Sequence, residues 1–529
     1  MALKTVTILD YGAGNVRSVI NAVQHLGYGI TLVASPHDIQ KAGILIFPGV
    51  GSFEEMMKTL EKRKFIEPLL NYVKSGRPYL GICLGLQALF EESEESPGIS
   101  GLGFLKGRVR LLKTDLSIPH IGWNGIKPRK ASRLFRSLKG DEYLYFVHSY
   151  VVDPQDVSCI LTTTDYGEAF VSSIQAGNVV ATQFHPEKSG DVGLQILRNF
   201  LEDGIQPVIP DFIQETTTLA KRIVACMDVR ENDEGKLVVT KGDQYDVRDT
   251  HTREVRDLGS PVLLAKKYYE EGADEIVFLN ITGYRNFPLL NLPMLEILKE
   301  TSLNVFVPLT IGGGITSYTD ENSHYYSALD VASAYFRSGA DKISIGSDAV
   351  LIAEEFLHHG KRGTSSIEEI SQVYGNQAVV ISIDPKRHYE SSPRGIRHHI
   401  IETDEPGPNG ERYCWFQCTI KGGREPRDID AITLAKICEE LGAGEILLNS
   451  IDRDGTNLGF DLELIKAVSE HVDIPVIASS GAGIPDHFLQ VFQNTQAEAA
   501  LAAGILHRQE VGIDDIKQHL KGRITVRFR

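Results

Sequence analysis

Along the first 200 residues, short β-branched runs alternate with stretches of helical period. TVTIL (5–9), ILIF (44–47) and PYLGIC (78–83) read as strands, and NVRSVINAVQHLG (15–27) repeats its apolar positions at three- and four-residue spacing. That is a βαβ pattern, and it predicts a mainly parallel sheet with helices on its faces. The pattern then shifts to hairpin-like runs, YLYFVHSYVV (143–152) and FVSSIQAGNVVATQF (170–184), and closes on a helical stretch, DVGLQILRNFLEDG (191–204). The segment after it, GIQPVIPDFIQETTT (204–218), has two prolines, a threonine run and no clear period, so it reads as a joint.

Beyond the joint the apolar pattern repeats itself. VACMDVR (224–230) resembles VISIDPKR (380–387), and EGADEIVFLNIT (271–282) resembles LGAGEILLNSID (441–452). VPLTIGGGI (307–315) matches VIASSGAGI (476–484), and GADKISIGSDA (339–349) matches QAEAALAAGIL (496–506) more weakly. Each motif is a strand, a polar or glycine turn, and a helix. Two copies of a four-strand, four-helix unit predict a closed (β/α)8 barrel. Two open doubly wound sheets fit less well, because each half would leave its sheet edges uncovered. The expected domains are 1–203 and 219–529, with 204–218 as linker.

Composition narrows the partners. A net charge of −16 over 529 residues leaves no basic face for a nucleic acid. The start, MALKTVTILDYGAGN, enters a strand directly without a signal-peptide pattern, and no apolar run reaches the roughly 18–20 residues of a membrane span. Six cysteines, at 83, 159, 226, 414, 418 and 438, form no CxxC pair. Cys414 and Cys418 have a metal-compatible spacing that no second pair completes. The expectation is a reducing, cytoplasmic setting with no disulfide framework, no metal site and no cofactor.

Within PYLGICLGLQALFEE, Gly81-Ile82-Cys83-Leu84-Gly85 has the form of a nucleophile elbow. Its glycines permit a sharp strand-to-helix turn that projects the thiol, and the helix start favours a thiolate. So short a pattern also fits a buried structural cysteine. VVATQFHPEKS (179–189) adds a strand ending at His185 with Glu187 two residues on, a sound arrangement for orienting an imidazole. ILIFPGVGSF (44–53) runs from a strand into Gly49 and Gly51, whose backbone N–H groups suit a developing oxyanion.

GICLGLQ, FPGVG and HPEKS in this order resemble the glutaminase domain of class I glutamine amidotransferases. The resemblance implies a flavodoxin-like mixed sheet, with Cys83 as nucleophile, His185 as general base and acid, and Glu187 as its orienter. It further implies an oxyanion site at Gly49 and Gly51, with Gln87, His148, Ser149 and Tyr150 near a bound glutamine. PHIGWN (119–124) resembles the histidine-biosynthetic variety.

In the second half, Asp228 and Asp384 end the first strand of each repeat, where barrel residues face the active site. Symmetry sets them on opposite sides of one mouth, as an acid–base pair needs, although a single such aspartate also serves as a helix N-cap. Glycine turns at Gly313–Gly314, Gly346–Ser347, Ser480–Gly481 and Gly504 present backbone N–H groups to anions. Their duplication points to a long substrate with a phosphate at each end.

KRIVACMDVR, VVTKGD, SIDPKR, GAGEILLNSIDRDGT and IASSGAG resemble the cyclase of the imidazole glycerol phosphate synthase family, here in the fused, eukaryote-type arrangement. The resemblance implies glutamine and a bis-phosphorylated ribonucleotide as substrates, with no separate glutaminase subunit. Asp384 would be general acid and Asp228 general base, Lys241 would close over the substrate, and Asp452 would line the site. Ammonia would enter past a gate of Arg222, Glu275, Lys342 and Glu445, with the first domain capping the barrel at its strand N-termini. Asn280 and Gly346–Ser347 depart from the bacterial pattern of Asp and Asn-Thr. A glutaminase feeding a different phosphosugar synthase would need a Schiff-base lysine at a strand end, and aspartates stand there. A non-catalytic scaffold gives no reason for the complete set.

Overall fold

The computed structural model describes residues 4–12, 14–202, 207–208, 218–234, 236–240, 257–281 and 288–529. Lys241 and most of the expected linker lie outside them. The first half is built on an eleven-stranded mixed sheet. Five parallel strands run Gly29–Leu32, Thr5–Ile8, Leu45–Gly49, Tyr79–Cys83 and Val179–Thr182 across it, and antiparallel strands from Glu168–Ala176 onward extend it. The central strands are buried along their whole length, which explains their unbroken apolar runs.

One expectation fails locally. YLYFVHSYVV is not a hairpin: Leu144–His148 pairs with His120–Asn124 in a separate two-stranded sheet, while Tyr150–Pro154 joins the large one. An alternating pattern fixes which faces are buried and leaves the partner strand open. That choice brings His120 against His148.

The second half closes as predicted. Eight parallel strands run Arg222–Glu231, Glu275–Asn280, Leu309–Gly312, Lys342–Ile345, Val379–Ile383, Glu445–Leu448, Val476–Ala478 and Ala499–Ala502. Arg222 pairs with Ala499, and this last ladder turns the sheet into a barrel without edges. Along the axis lies an apolar cluster that includes Val224, Cys226, Val277, Val380, Leu447 and Ile477, separate from the main core. Residues 385–430 add a four-stranded sheet beside the barrel mouth.

The two halves meet through residues that precede barrel strands. Trp123 Nε1 donates to Asp274 O at 3.2 Å, Gly190 N to Phe306 O at 2.9 Å, and Asn15 Nδ2 to Asp341 Oδ1 at 2.8 Å. Arg527 covers the Trp123 ring at 4.0 Å. Asp274 and Asp341 stand immediately before Glu275 and Lys342, so the first half caps the N-terminal face. The strand C-termini, where barrel chemistry occurs, are left open.

Candidate active sites at the two ends of the barrel

Cys83 ends a fully buried strand and adopts φ 53° and ψ −104°, a strained conformation for a side chain with a Cβ. The close packing around it demands glycine. A Cβ on Gly81 would lie 2.4 Å from Gly85 O, and one on Gly85 would lie 2.0 Å from Phe47 O. The helix expected after the elbow is a single turn, Leu84–Gln87. It stops because the carbonyls of Ala88 and Phe90 accept from Leu102 and Gly103, which pulls the chain away.

His185 lies in the loop after the neighbouring strand, and its Nδ1–H donates to Glu187 Oε1 at 2.8 Å. Both side chains are buried. Burial works against the imidazolium, but the Glu187 carboxylate and the Cys83 sulfur outweigh it and hold His185 up to about 10. The charged ring can therefore give its proton to a leaving amine. Gln183 Nε2 donates to Cys83 Sγ at 3.4 Å, a contact the sequence reading missed. Gln87 Nε2 donates to Tyr150 O at 3.1 Å and to Gln183 Oε1 at 3.3 Å. His148 Nδ1–H donates to Tyr150 O at 3.0 Å, and Ser149 O accepts from Leu112 N.

Gly49 pairs with Cys83 in the parallel ladder, so its loop runs beside the sulfur. Tyr11 Oη donates to Val50 O at 2.7 Å and fixes the next peptide. Gly51, at φ +126°, meets the barrel, where a Cβ would lie 2.7 Å from Val373 O. Glu95, also missed, is a half-buried carboxyl that accepts from Phe53 N, and desolvation pushes it up to about 7.

At the other end, a cavity of about 510 Å³ opens at the barrel's C-terminal face. Asp228 and Asp384 both line it, together with Gly313, Gly314, Gly346, Ser347, Ser480, Gly481 and Gly504. Gly313, at φ +88°, lies against Asn280 O, where a Cβ would be only 2.0 Å away. Burial raises the Asp384 carboxyl above its ordinary range, and nearby Asp454 adds to this. Asn449 Nδ2 donates to its Oδ1 at 2.6 Å and opposes the shift. Such a carboxyl is poised to donate a proton.

Asp452 is placed differently from the expectation. It accepts from Arg387 N at 2.7 Å and does not border the cavity, whereas Asp454 two residues on does. Arg230, Lys421, Arg424 and Arg508 bring positive charge to the mouth. Asn449 went unread because the repeat aligns it with apolar Leu279.

Between the two sites lies a ring of buried charge. Arg222, Glu275, Lys342 and Glu445 are each the first residue of a barrel strand. Arg222 bonds Glu275 Oε2 at 2.8 Å and also bonds Glu445, while Lys342 reaches Glu275 at 2.6 Å and Glu445 at 2.5 Å. Two cations and two carboxylates neutralise one another where any unpaired charge would be costly. Tyr145 links the ring to the histidine: its carbonyl accepts from His185 N, and its hydroxyl lies in the field of Glu275, Arg222 and Glu445.

An elbow cysteine with a carboxylate-oriented histidine, set on the base of a barrel whose open end holds a cavity lined by two aspartates, defines a class I glutaminase joined to a (β/α)8 enzyme domain. The family description "Glutamine amidotransferase class-I" matches residues 7–203, and "Histidine biosynthesis protein" matches 222–512. The chain is 57% identical to imidazole glycerol phosphate synthase hisHF, chloroplastic, of Arabidopsis thaliana, over 99% of this chain and 89% of that one. It is 52% identical to imidazole glycerol phosphate synthase hisHF of Schizosaccharomyces pombe, over 97% and 98%. Its second half is 43% identical to the subunit HisF of Methanosphaera stadtmanae, over 58% of this chain. The chain belongs to the family of fused imidazole glycerol phosphate synthases.

Proposed function

We propose that the chain couples glutamine hydrolysis to ring closure in histidine biosynthesis, within a reducing compartment and with its domain boundary between residues 203 and 219. The Cys83 thiolate attacks the glutamine amide, and the His185 imidazolium protonates the departing ammonia. Neutral His185 then takes a proton from water, which hydrolyses the thioester. Glu187 holds the ring throughout. Backbone N–H groups at Gly49 and Gly51 receive the oxyanion, and the Glu95 carboxyl is the charge complement of a glutamine ammonium.

Ammonia passes Tyr145 and the ring of Arg222, Glu275, Lys342 and Glu445 into the apolar barrel axis, which favours the neutral molecule over ammonium. At the mouth it attacks the bis-phosphorylated ribulosyl-formimino-aminoimidazole carboxamide ribonucleotide. Asp384 protonates and Asp228 deprotonates, while the glycine turns hold the two phosphates and Lys241 contributes a cation to the bound substrate. The products are imidazole glycerol phosphate and aminoimidazole carboxamide ribonucleotide.

The observation that carries this reading is the placement of a thiol–imidazole pair and a two-aspartate cavity at opposite ends of one barrel. Glutamine labelled with ¹⁵N in its amide is the test. Label in the imidazole ring of the product supports the reading. Label recovered only as free ammonia, with the bis-phosphate unconsumed, would overturn it.

A further inference from the structure

Arg387 stands three residues beyond Asp384, is 8% exposed, and has no part in the chemistry described above. Its guanidinium grips Asp461 through two bonds, Nε to Oδ2 at 3.1 Å and Nη2 to Oδ1 at 2.6 Å. Its Nη1 donates to Thr403 Oγ1 at 2.8 Å and to Glu463 Oε2 at 2.7 Å. Its backbone N–H, on the other side, donates to Asp452 Oδ2 at 2.7 Å. Asp452 and Asp461 bracket the stretch Asp454–Asn457, which lines the mouth of the barrel. One residue therefore closes the base of that loop at both ends.

The insertion 388–412, which lies between the barrel strand Val379–Ile383 and the helix Ala431–Glu440, tightens the same closure. Thr403 Oγ1 donates to Glu463 Oε2 at 2.7 Å, Asp404 N donates to Glu463 Oε1 at 2.8 Å, and Arg453 pairs with Glu405. A fork that bonds one carboxylate twice while reaching two further acceptors fixes direction as well as distance, which a lysine cannot do. The loop so held matters chemically. Asp454 acts electrostatically on Asp384, and Gly481 O, in the phosphate turn, accepts from Gly459 N at 2.8 Å.

We propose that Arg387 is a positioning residue for the barrel reaction: with the insertion 388–412 it forms a clasp that holds the 452–461 loop in its substrate-binding shape. The proposal rests on the cyclase reading above. It assigns the insertion a role as the outer half of the clasp, and it accounts for a buried cation beside the catalytic strand.

The test uses the full-length chain and its Arg387→Lys variant, which keeps the charge and loses the fork. Amide hydrogens of Asp454, Thr456 and Gly459 are hydrogen-bonded within or beside the loop, so their exchange reports its opening. We expect about tenfold faster exchange there, with KM for the bis-phosphate in ammonia-dependent synthesis rising about tenfold and kcat changing less. Glutamine hydrolysis without bis-phosphate, at the far end of the barrel, stays unchanged. Unaltered loop exchange and KM together with a lowered unfolding midpoint would overturn the clasp and leave Arg387 a fold-stabilising residue. Should Arg387→Lys not fold, Thr403→Val, which removes one hydroxyl bridge, must raise exchange at the same amides or the clasp is wrong. A wild-type chain that consumes no bis-phosphate would overturn the cyclase reading alone, because the exchange comparison still stands.

Discussion

Lys188 Nζ lies 2.6 Å from Asp341 Oδ2, and this ion pair, buried on its lysine side, ties the residue after Glu187 to the residue before Lys342. It spans the two halves and connects the position of the glutaminase histidine to the strand that carries a ring cation. Asp341 also accepts from Leu309 N at 2.8 Å, so the contact is anchored in two adjacent barrel strands. We predict that a shift of those strands on substrate binding is passed to the glutaminase site through it.

Lys188→Met removes the pair at its glutaminase end. The expected outcome is a loss of about tenfold or more in the stimulation of glutamine hydrolysis by the bis-phosphate, with ammonia-dependent synthesis preserved. Unchanged stimulation would show that coupling runs elsewhere across the interface.

The pH dependence of glutamine hydrolysis follows from His185. Its pKa in the folded chain, about 10, lies above the ordinary value of about 6.5. The imidazolium therefore contributes stability that is full below about 6.5 and is lost as pH rises through about 10. Acylation needs that same proton. Glu187→Gln removes the largest opposing influence to burial, so the alkaline limb of the rate profile should move to lower pH. A limb that stays in place would deny Glu187 its role.

Cys83→Ala and Asp384→Asn separate the two chemistries. The first should abolish glutamine-dependent synthesis and leave ammonia-dependent synthesis close to wild type. The second should reduce both by about a hundredfold or more, because an amide of the same shape donates no proton in this range. Substrate affinity should change little in Asp384→Asn, because the proposed phosphate contacts at the glycine turns are untouched. Normal ammonia-dependent rates in that variant would remove Asp384 from the mechanism.

Glu445→Gln tests the ring. It leaves Arg222 and Lys342 facing a single carboxylate in full burial, which should cost about 3–5 kcal/mol of stability in thermal or denaturant unfolding. The misassembled ring should also raise the glutamine hydrolysed per imidazole product. A stoichiometry still near one would show that the ring does not control passage.

Much of this was legible in the chain. Hydrophobic period separated strands from helices, the internal repeat closed the barrel, and glycine spacing marked the elbow at Cys83 and the turns at Gly313 and Ser480 that border the cavity. These features are local or repeated, and each depends on steric and burial rules acting over a few residues. Tertiary structure alone decided the contacts among distant segments. Gln183 meets Cys83 across 100 residues, Arg222 meets Glu445 across 223, and Arg387 gathers Thr403 and Asp461 from 16 and 74 residues further along the chain. The pairing of Leu144–His148 with His120–Asn124, the one-turn helix after the elbow and the bond from Arg387 N to Asp452 were likewise unreadable. Period and turn chemistry specify which face of a segment is buried. Which partner it meets there is set only when the closing barrel and the cap upon it bring the polar groups together and require each buried one to be satisfied.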